Sequence, residues 1–263
     1  MAPAPESTSS SGLSAVKHDG RLGDGLVGMV RSPIGKKLLT GITGLALVTF
    51  TVIHLLGNLT LFFSAKAYNQ LAYSIERLGP LTYAVEFLLG AIALLHATLG
   101  IKIYVGARQA RPVQYAIPIE GSANGATSSR QSLGARTMII SGLVLAAFLV
   151  IHLATFKFGT YYALPGSALA SPHLEPHLEP HVGPHRDLAR LVFETFHKPS
   201  YTASYVVVLS LLGLHLRHGI WSALQSVGIA TRPAVYTASA VLGGAIAIGF
   251  IGLPLAIYFG LIG

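Results

Sequence analysis

Five long apolar segments alternate with shorter polar ones along the chain, and each is long enough to cross a bilayer as a helix, which takes about 20 residues. They cover residues 38–60, 81–105, 137–158, 200–222 and 234–262. The first, third and fifth are free of charge over about 20 residues, whereas Glu86 lies near the start of the second and Arg217 interrupts the fourth. The pattern predicts an all-α membrane protein with five transmembrane helices.

The composition agrees with a bilayer as the main solvent, because only 11% of the 263 residues are charged and 52% are hydrophobic. The mean hydropathy is +0.60. Residues 1–27 are rich in Ser, Gly and Pro and lack the apolar core of a signal peptide, so we expect a disordered cytoplasmic tail. Residues 28–263 then form one membrane domain, with a His- and Pro-rich outer loop over about 159–199.

Basic residues predict the orientation, since Lys and Arg are retained on the cytoplasmic side of spans. Twelve of the eighteen Lys and Arg residues fall on the side of the amino terminus, which is therefore expected in the cytoplasm. The net charge of +8 lies at the ends of the spans, without an aromatic face for stacking bases. This distribution favours lipid headgroups or acidic partner surfaces and argues against nucleic acid.

The chain contains no cysteine. This excludes disulfides, iron–sulfur clusters and covalently attached c-type haem in the chain itself. A bound metal must therefore be held by histidine or carboxylate.

Each of the first four spans contains a histidine within its apolar run, namely His54, His96, His152 and His215, and the fourth span also contains His218 near its end. An ionisable side chain in hydrocarbon costs a few kcal/mol unless it is paired or ligated, so each is a candidate functional residue. For any single one, the alternative is a hydrogen bond to a neighbouring helix.

An internal repeat surrounds these positions. Residues 43–55 and 141–153 are identical at eight of thirteen positions, including the histidine, and His96 and His215 each begin a His-x-x-x-Gly-Ile motif. The repeat indicates a two-helix unit used twice in the same sense, with the fifth span outside it.

Depth separates the four histidines into two pairs, counted at 1.5 Å per residue from the nearest basic residue on the cytoplasmic side. His54 and His152 lie about 27 and 24 Å from it, and His96 and His215 about 9 and 3 Å. The two pairs are therefore roughly 15 to 20 Å apart in depth.

Two imidazoles from facing helices, without a carboxylate or thiolate at their level, are the ligand set of a six-coordinate b-type haem. Because both axial positions are filled, one-electron transfer is expected instead of oxygenation. Glycines in the spans would leave room for a flat macrocycle or for close helix packing: Gly41, Gly44, Gly90, Gly100, Gly142, Gly213 and Gly219.

Four segments together resemble the succinate dehydrogenase cytochrome b558 subunit family, over about residues 28–262. They are SPIGK at 32–36, HLLGNL at 54–59, RTMIISG at 136–142 and HLRHGIWSALQ at 215–225. The resemblance implies a diheme membrane anchor of a succinate:menaquinone oxidoreductase or fumarate reductase in a bacterial plasma membrane. It also implies that His96 and His215 hold a proximal haem b, and His54 and His152 a distal haem b.

The resemblance further implies two partner subunits and a quinone. A flavoprotein containing FAD oxidises succinate, an iron–sulfur protein delivers electrons to the proximal haem, and menaquinone accepts them near the outer face. Glu76, the one carboxylate of the first outer loop, is a candidate for relaying protons to quinone, or else caps an interfacial helix. Candidates for contacts with haem propionates, quinone, lipid or the iron–sulfur partner are Arg31, Ser32, Lys36, Arg136, Arg217, His218 and Ser222.

A tract in the second outer loop places His173, His177, His181 and His185 four residues apart. It adds 21 residues to the histidine spacing of the second unit, 63 against 42. Proline at every fourth position prevents a helix that would align the rings, which favours a solvated loop over a metal site.

Other functions require patterns that the chain lacks. A transporter would need carboxylates near the midplane and broken helices, and an intramembrane metalloprotease would need a His-Glu-x-x-His helix. The remaining alternative is a haem-free structural anchor of the same complex, with quinone bound near the inner face.

Overall fold

The computed structural model describes residue 28 and residues 32–110, 125–164, 186–229 and 233–263, with the backbone alone for 125–136. Its helices are α1 (Pro33–Leu59), α2 (Ala65–Glu76), α3 (Pro80–Gln109), α4 (Gly125–His152), α5 (Leu188–Phe196), α6 (Pro199–Ser226) and α7 (Pro233–Tyr258). A 3₁₀ turn, Thr60–Phe62, extends α1, and a π-helical turn, Leu153–Lys157, extends α4. This part of the chain contains no β-sheet.

Five helices are long and apolar enough to span a membrane, which confirms the predicted fold class. They are Pro33–Phe62, Pro80–Gln109, Thr137–Lys157, Pro199–Ser226 and Pro233–Tyr258. Three of the five helices extend beyond the predicted apolar runs at both ends. At the amino-terminal ends the sequence explains the extension, because the first turns carry helix-start signals that are not apolar. Proline occupies the first position of α1, α3, α6 and α7, where its missing N–H costs no hydrogen bond. At α1, Ser32 also caps the helix by accepting from the backbone N–H of Gly35 at 2.9 Å.

The first four spans form a bundle in which α1 packs beside α3 and α6, while α4 packs beside α6 and α3. The diagonal partners are therefore α1 with α4, and α3 with α6. The fifth span, α7, packs most extensively on α6 and also contacts α1, so it lies outside the four-helix ring. We call the end of the bundle at Ser32 the inner end and the end at Leu59 the outer end; the direction of the bundle in a membrane stays a prediction.

Close approach of two backbones joins α7 to α6. A Cβ atom on Gly243 would lie 2.8 Å from the backbone nitrogen of Arg217, and one on Gly213 would lie 2.8 Å from the Cβ of Ala247. Small residues at such crossings let helices pack tightly where lipid removes the hydrophobic driving force. The Arg217 that interrupts the fourth apolar run does not end α6, because its guanidinium donates to the hydroxyl of Tyr236 on α7 at 2.6 Å.

Two short helices, α2 and α5, cover the outer end and form what we call the outer cap. Asn69 joins them: its amide nitrogen donates to Oδ1 of Asp187 at 2.8 Å, and its amide oxygen accepts from the backbone N–H of Ala189 at 2.9 Å. Asp187 also caps α5 by accepting from the backbone N–H of Arg190.

The helix α5 corrects the prediction of a continuous outer loop over 159–199. Its buried side chains recur at helical spacing: Ala189, Leu191, Val192, Thr195 and Phe196. Three of them, Ala189, Val192 and Phe196, pack against α6 and α7 in a buried apolar cluster. The sequence analysis missed this helix because it has nine residues, too few for a membrane span, and because its amphipathic pattern follows directly on the His- and Pro-rich tract.

The second outer loop leaves and re-enters the structure at one place. Ala163 and Arg186 form an antiparallel bridge, and the backbone N–H of Asp187 donates to the carbonyl of Tyr162 at 2.7 Å. An insertion between two such neighbouring positions need not displace the helices. The predicted loop histidines at 173, 177, 181 and 185, like the predicted tail 1–27, lie outside the described residues.

Candidate functional site

The outer histidine pair joins the diagonal helices α1 and α4. The ring centres of His54 and His152 are 5.8 Å apart, with the ring planes at 87°. Phe50 stacks on His54 at 5.5 Å, and Phe148, at the equivalent position of the repeat, lies 5.7 Å from His152. Phe250 of α7 lies 5.8 Å from the His54 ring. The repeat thus gives each outer histidine an aromatic neighbour one turn before it.

Polar groups approach the outer pair from two sides. The Nδ1 atom of His152 is 3.1 Å from the hydroxyl of Tyr205 on α6. On the α1 side, the amide nitrogen of Asn58 donates to the carbonyl of His54 at 2.8 Å, and the hydroxyl of Tyr68 donates to the amide oxygen of Asn58 at 3.4 Å. This second series connects the outer cap to the backbone of a histidine.

The inner histidine pair joins the other diagonal, α3 with α6. The ring centres of His96 and His215 are 6.5 Å apart, with the ring planes at 72°. Each ring lies against a glycine of the repeat: a Cβ on Gly44 would be 3.0 Å from Cε1 of His96, and one on Gly142 would be 3.4 Å from Cε1 of His215. A larger residue at Gly44 would therefore require the ring to move.

Hydrogen bonds hold the Nδ1 side of both inner rings. Nδ1 of His96 is 3.1 Å from the carbonyl oxygen of Thr40 and 3.3 Å from the hydroxyl of Thr43. Nδ1 of His215 is 3.0 Å from the hydroxyl of Ser141. Thr43 and Ser141 are equivalent positions of the repeat and are 7% and 4% exposed, so these contacts are buried.

Helix geometry fixes the separation of the two pairs. Thr43 and His54, like Ser141 and His152, are eleven residues apart, close to three full turns, so they share one helix face. Eleven residues rise about 16 Å. The inner histidine rings lie at the level of Thr43 and Ser141, which contact them, and the outer rings are His54 and His152 themselves.

Each pair offers a metal two nitrogen ligands. No group of three or more His, Asp or Glu side chains in the described residues is placed to hold a metal ion. Two imidazoles bound on opposite sides of one metal have ring centres roughly 6 Å apart, from two metal–nitrogen bonds of about 2 Å and about 1.1 Å within each ring. The separations of 5.8 and 6.5 Å match that value. The remaining ligands would have to come from a bound molecule, and the four equatorial nitrogens of a porphyrin meet this requirement.

The predicted inner-end candidates fall on different helix faces. His218 and Ser222 lie three and seven residues after His215 and so share its side of α6, whereas Arg217, at about 200° from His215, faces α7. His218 is half-buried beside Trp221, with ring centres 5.9 Å apart.

On α1, Lys36 is half-buried and lies seven residues before Thr43 on the same face. Ser32 is used as the helix cap. Arg31 lies outside the described residues, as does the side chain of Arg136.

At the outer end, Glu76 is the exposed last residue of α2 and lies at the cap surface. Burial raises the pKa of Tyr161, the negative charge of Glu76 raises it further, and Arg186 opposes that rise. The guanidinium of Arg186 lies over the Tyr161 ring at 5.7 Å. Sequence reasoning missed Tyr68, whose burial raises its pKa to about 12 although Arg186 lowers it.

The acid within the second span, Glu86, forms an ion pair with Lys157 at the end of the π-helical turn. The Lys157 ammonium also lies over the ring of Tyr83 at 5.8 Å. The pair connects the outer ends of α3 and α4, in agreement with an interfacial position for Glu86.

Five of the seven span glycines have a neighbour that a Cβ atom would meet. Gly44 and Gly142 face the inner histidine rings, whereas Gly41 packs on α6, Gly213 on α7 and Gly219 on Met138 of α4. Gly90 and Gly100 have open space around them, so neither role applies to them in the described residues.

No family model matches the chain, and no curated protein or solved structure gives a match to it.

Proposed function

We propose that this chain is a diheme cytochrome b and the membrane anchor subunit of a succinate:menaquinone oxidoreductase in a bacterial plasma membrane. The observation that carries the proposal is the pair of diagonal histidine couples, 5.8 and 6.5 Å between ring centres, at two depths of one apolar bundle. The motif resemblance supplies the identity of the complex.

The residues of the chain fit haem b at both levels. His96 and His215 would hold the inner group, and His54 and His152 the outer one. When bound, haem b would supply one-electron transfer chemistry, with two histidines holding each group. The protein provides histidines on four helices, glycines at 44 and 142 against the inner rings, and apolar surroundings that would keep water away from the bound groups.

The direction of transfer is from the inner end to the outer end. The resemblance implies an iron–sulfur partner subunit at the inner end that delivers the electrons and a flavoprotein with FAD that oxidises the dicarboxylate. A chain without cysteine agrees with this division, because it cannot itself hold an iron–sulfur cluster through thiolates. Lys36, His218 and Ser222 lie on the histidine faces near the inner end, where they can bind carboxylates or the partner surface.

Menaquinone would be reduced near the outer pair. Its reduction takes up two protons, for which Glu76 is an exposed carboxylate at the cap surface. Below the cap, the Tyr68 hydroxyl stays protonated up to a pH of about 12 and donates to Asn58, which in turn donates to the carbonyl of His54. These hydrogen bonds connect the outer cap to the backbone of His54.

A reduced-minus-oxidised spectrum with pyridine haemochrome quantification of the full chain in its native complex tests the proposal. We expect two haem b per chain. His96→Ala and His215→Ala should remove one spectral component, and His54→Ala and His152→Ala the other, because each pair holds one group. His197→Ala is the control, since His197 is exposed and bonded within its own helix at the outer end.

The partner assignment has its own readout. Co-purified covalent or tightly bound flavin and iron–sulfur signals, together with succinate-dependent reduction of both spectral components, are expected. A folded complex without haem would favour the haem-free structural anchor with quinone at the inner end. Haem without succinate-dependent reduction would retain the cytochrome and reject this complex.

A further inference from the structure

The repeat duplicates a hydroxyl as well as a ligand. Thr43 and Ser141 occupy equivalent positions, each directly before a glycine that faces an inner ring and eleven residues before an outer histidine. Each hydroxyl contacts the Nδ1 atom of a histidine that lies on another helix, 53 and 74 residues away in sequence. The first helix of each unit therefore carries its own outer ligand and supports the inner ligand of a second helix.

The hydrogen-bond inventory determines which way these contacts run. The carbonyl oxygen of Thr40, 3.1 Å from Nδ1 of His96, can only accept, so the proton is on Nδ1. The single hydroxyl proton of Thr43 is used within its own helix, where it points to the carbonyl of Leu39 at 2.7 Å. The hydroxyl of Thr43 therefore accepts from His96.

In the second unit the direction follows from the equivalence of Ser141 and Thr43 in the repeat. The Ser141 hydroxyl has the carbonyl of Thr137 as an acceptor at 2.9 Å, so its lone pairs are available to accept from Nδ1 of His215 at 3.0 Å. With the proton on Nδ1, the Nε2 atom of each inner histidine is unprotonated, which is the form that binds a metal.

We propose that Thr43 and Ser141 are positioning residues of the inner metal centre: each accepts the Nδ1 proton of one inner histidine and thereby keeps Nε2 of that ring available as a ligand. This inference rests on the proposed function for its redox consequence. A hydrogen bond from Nδ1–H makes the imidazole a stronger donor, which stabilises the oxidised metal.

The two positions differ in one respect that sharpens the test. His96 keeps the Thr40 carbonyl as a second acceptor, whereas Ser141 is the acceptor found for His215 among the described residues. Removing the Ser141 hydroxyl should therefore have the larger effect.

The experiment compares Ser141→Ala and Thr43→Val with Ser141→Thr and Thr43→Ser, which retain a hydroxyl. Thr49→Val is the matched control, because Thr49 is exposed on α1 and its hydroxyl bonds within that helix. Redox titration of the full complex should show a higher midpoint potential for one of the two components, largest in Ser141→Ala, smaller in Thr43→Val and restored in the hydroxyl variants. The other component should not move.

A second readout does not require haem. In the chain labelled with ¹⁵N-histidine and freed of cofactor, NMR should show His96 and His215 protonated on Nδ1, with His215 losing that preference in Ser141→Ala. Two haems with unchanged potentials in Ser141→Ala, or an equal change in Thr49→Val, would overturn the inference and leave the proposed function intact. A wild-type chain that binds no haem would reject the proposed function, and Nε2-protonated inner histidines in it would reject the inference as well.

Discussion

Asn69 should control the stability of the outer cap. Its side chain, in a residue only 7% exposed, makes both hydrogen bonds between α2 and the start of α5. Replacement by Ala leaves the backbone N–H of Ala189, a residue 1% exposed, without its acceptor, which costs about 1 to 3 kcal/mol. Loss of the bond to the carboxylate of Asp187 adds about 1.5 to 3 kcal/mol, although the bond from the backbone N–H of Arg190 to that carboxylate remains.

The expected cost is therefore roughly 2.5 to 6 kcal/mol, and it favours local opening of the cap while the spans stay folded. Because 1.4 kcal/mol corresponds to a factor of ten, amide exchange in peptides over 65–76 and 187–196 should accelerate at least about sixtyfold. Hydrogen exchange followed by mass spectrometry of the solubilised chain measures this. Ser74→Ala is the control, since Ser74 is exposed on the same helix and bonds only to Gln70.

Two results would refute the reasoning. Unchanged exchange over 187–196 in Asn69→Ala would mean that the amide does not join the two helices. Equal acceleration in α6 and α7 would mean that the cap is not a separate unit of stability.

Three further predictions concern packing, ionisation and chain length. Gly243→Ala should lower the free energy of unfolding by about 1 to 3 kcal/mol, because the new Cβ meets the backbone of Arg217. Gly244→Ala is the control, since Gly244 has open space around it. Equal Tm values for the two variants would contradict the close crossing of α6 and α7. Since burial raises the pKa of Tyr68 from 10.0 to about 12, the unfolded chain loses this proton first as pH rises, so the free energy of unfolding should fall by about 2 kcal/mol between pH 10 and 12. Between pH 9 and 12, the free energy of unfolding should fall less in Tyr68→Phe than in the unmodified protein. An equal fall in the two proteins would show that Tyr68 is not a buried neutral phenol. Replacement of residues 164–185 by a short Gly-Ser turn should leave the Tm and the haem content unchanged, because the bridge between Ala163 and Arg186 already holds the two ends of this segment together. A lower Tm or a lower haem content would assign the replaced segment a structural role.

The spans and the histidine positions were predictable because both depend on local sequence. A run of about 20 apolar residues has few alternatives to a transmembrane helix, and a histidine within it is conspicuous. The repeat added the relation between spans one and three, and counting residues placed the histidines in depth.

Contacts between distant segments were not predictable in the same way. In the sequence, Ser141 is an ordinary polar residue of an apolar helix. Its role depends on the contact of its hydroxyl with His215, which lies 74 residues later in the chain. Asn69 and Asp187 are 118 residues apart, and neither belongs to a motif. The helix α5 was missed because nine residues with an amphipathic period do not stand out beside a Pro-rich tract.

Thr43 and Ser141 each lie eleven residues before an outer histidine, and these two intervals restrict how the chain can change in length. Insertion or deletion of one residue between Gly44 and His54 would turn that histidine by about 100° away from its partner across the bundle. The interval 164–185, whose ends meet, is under no such restriction. Natural variation in length should therefore accumulate in the second outer loop and be selected against in the two intervals inside the membrane, where the rise of the α-helix fixes the distance between the inner and the outer histidine pair.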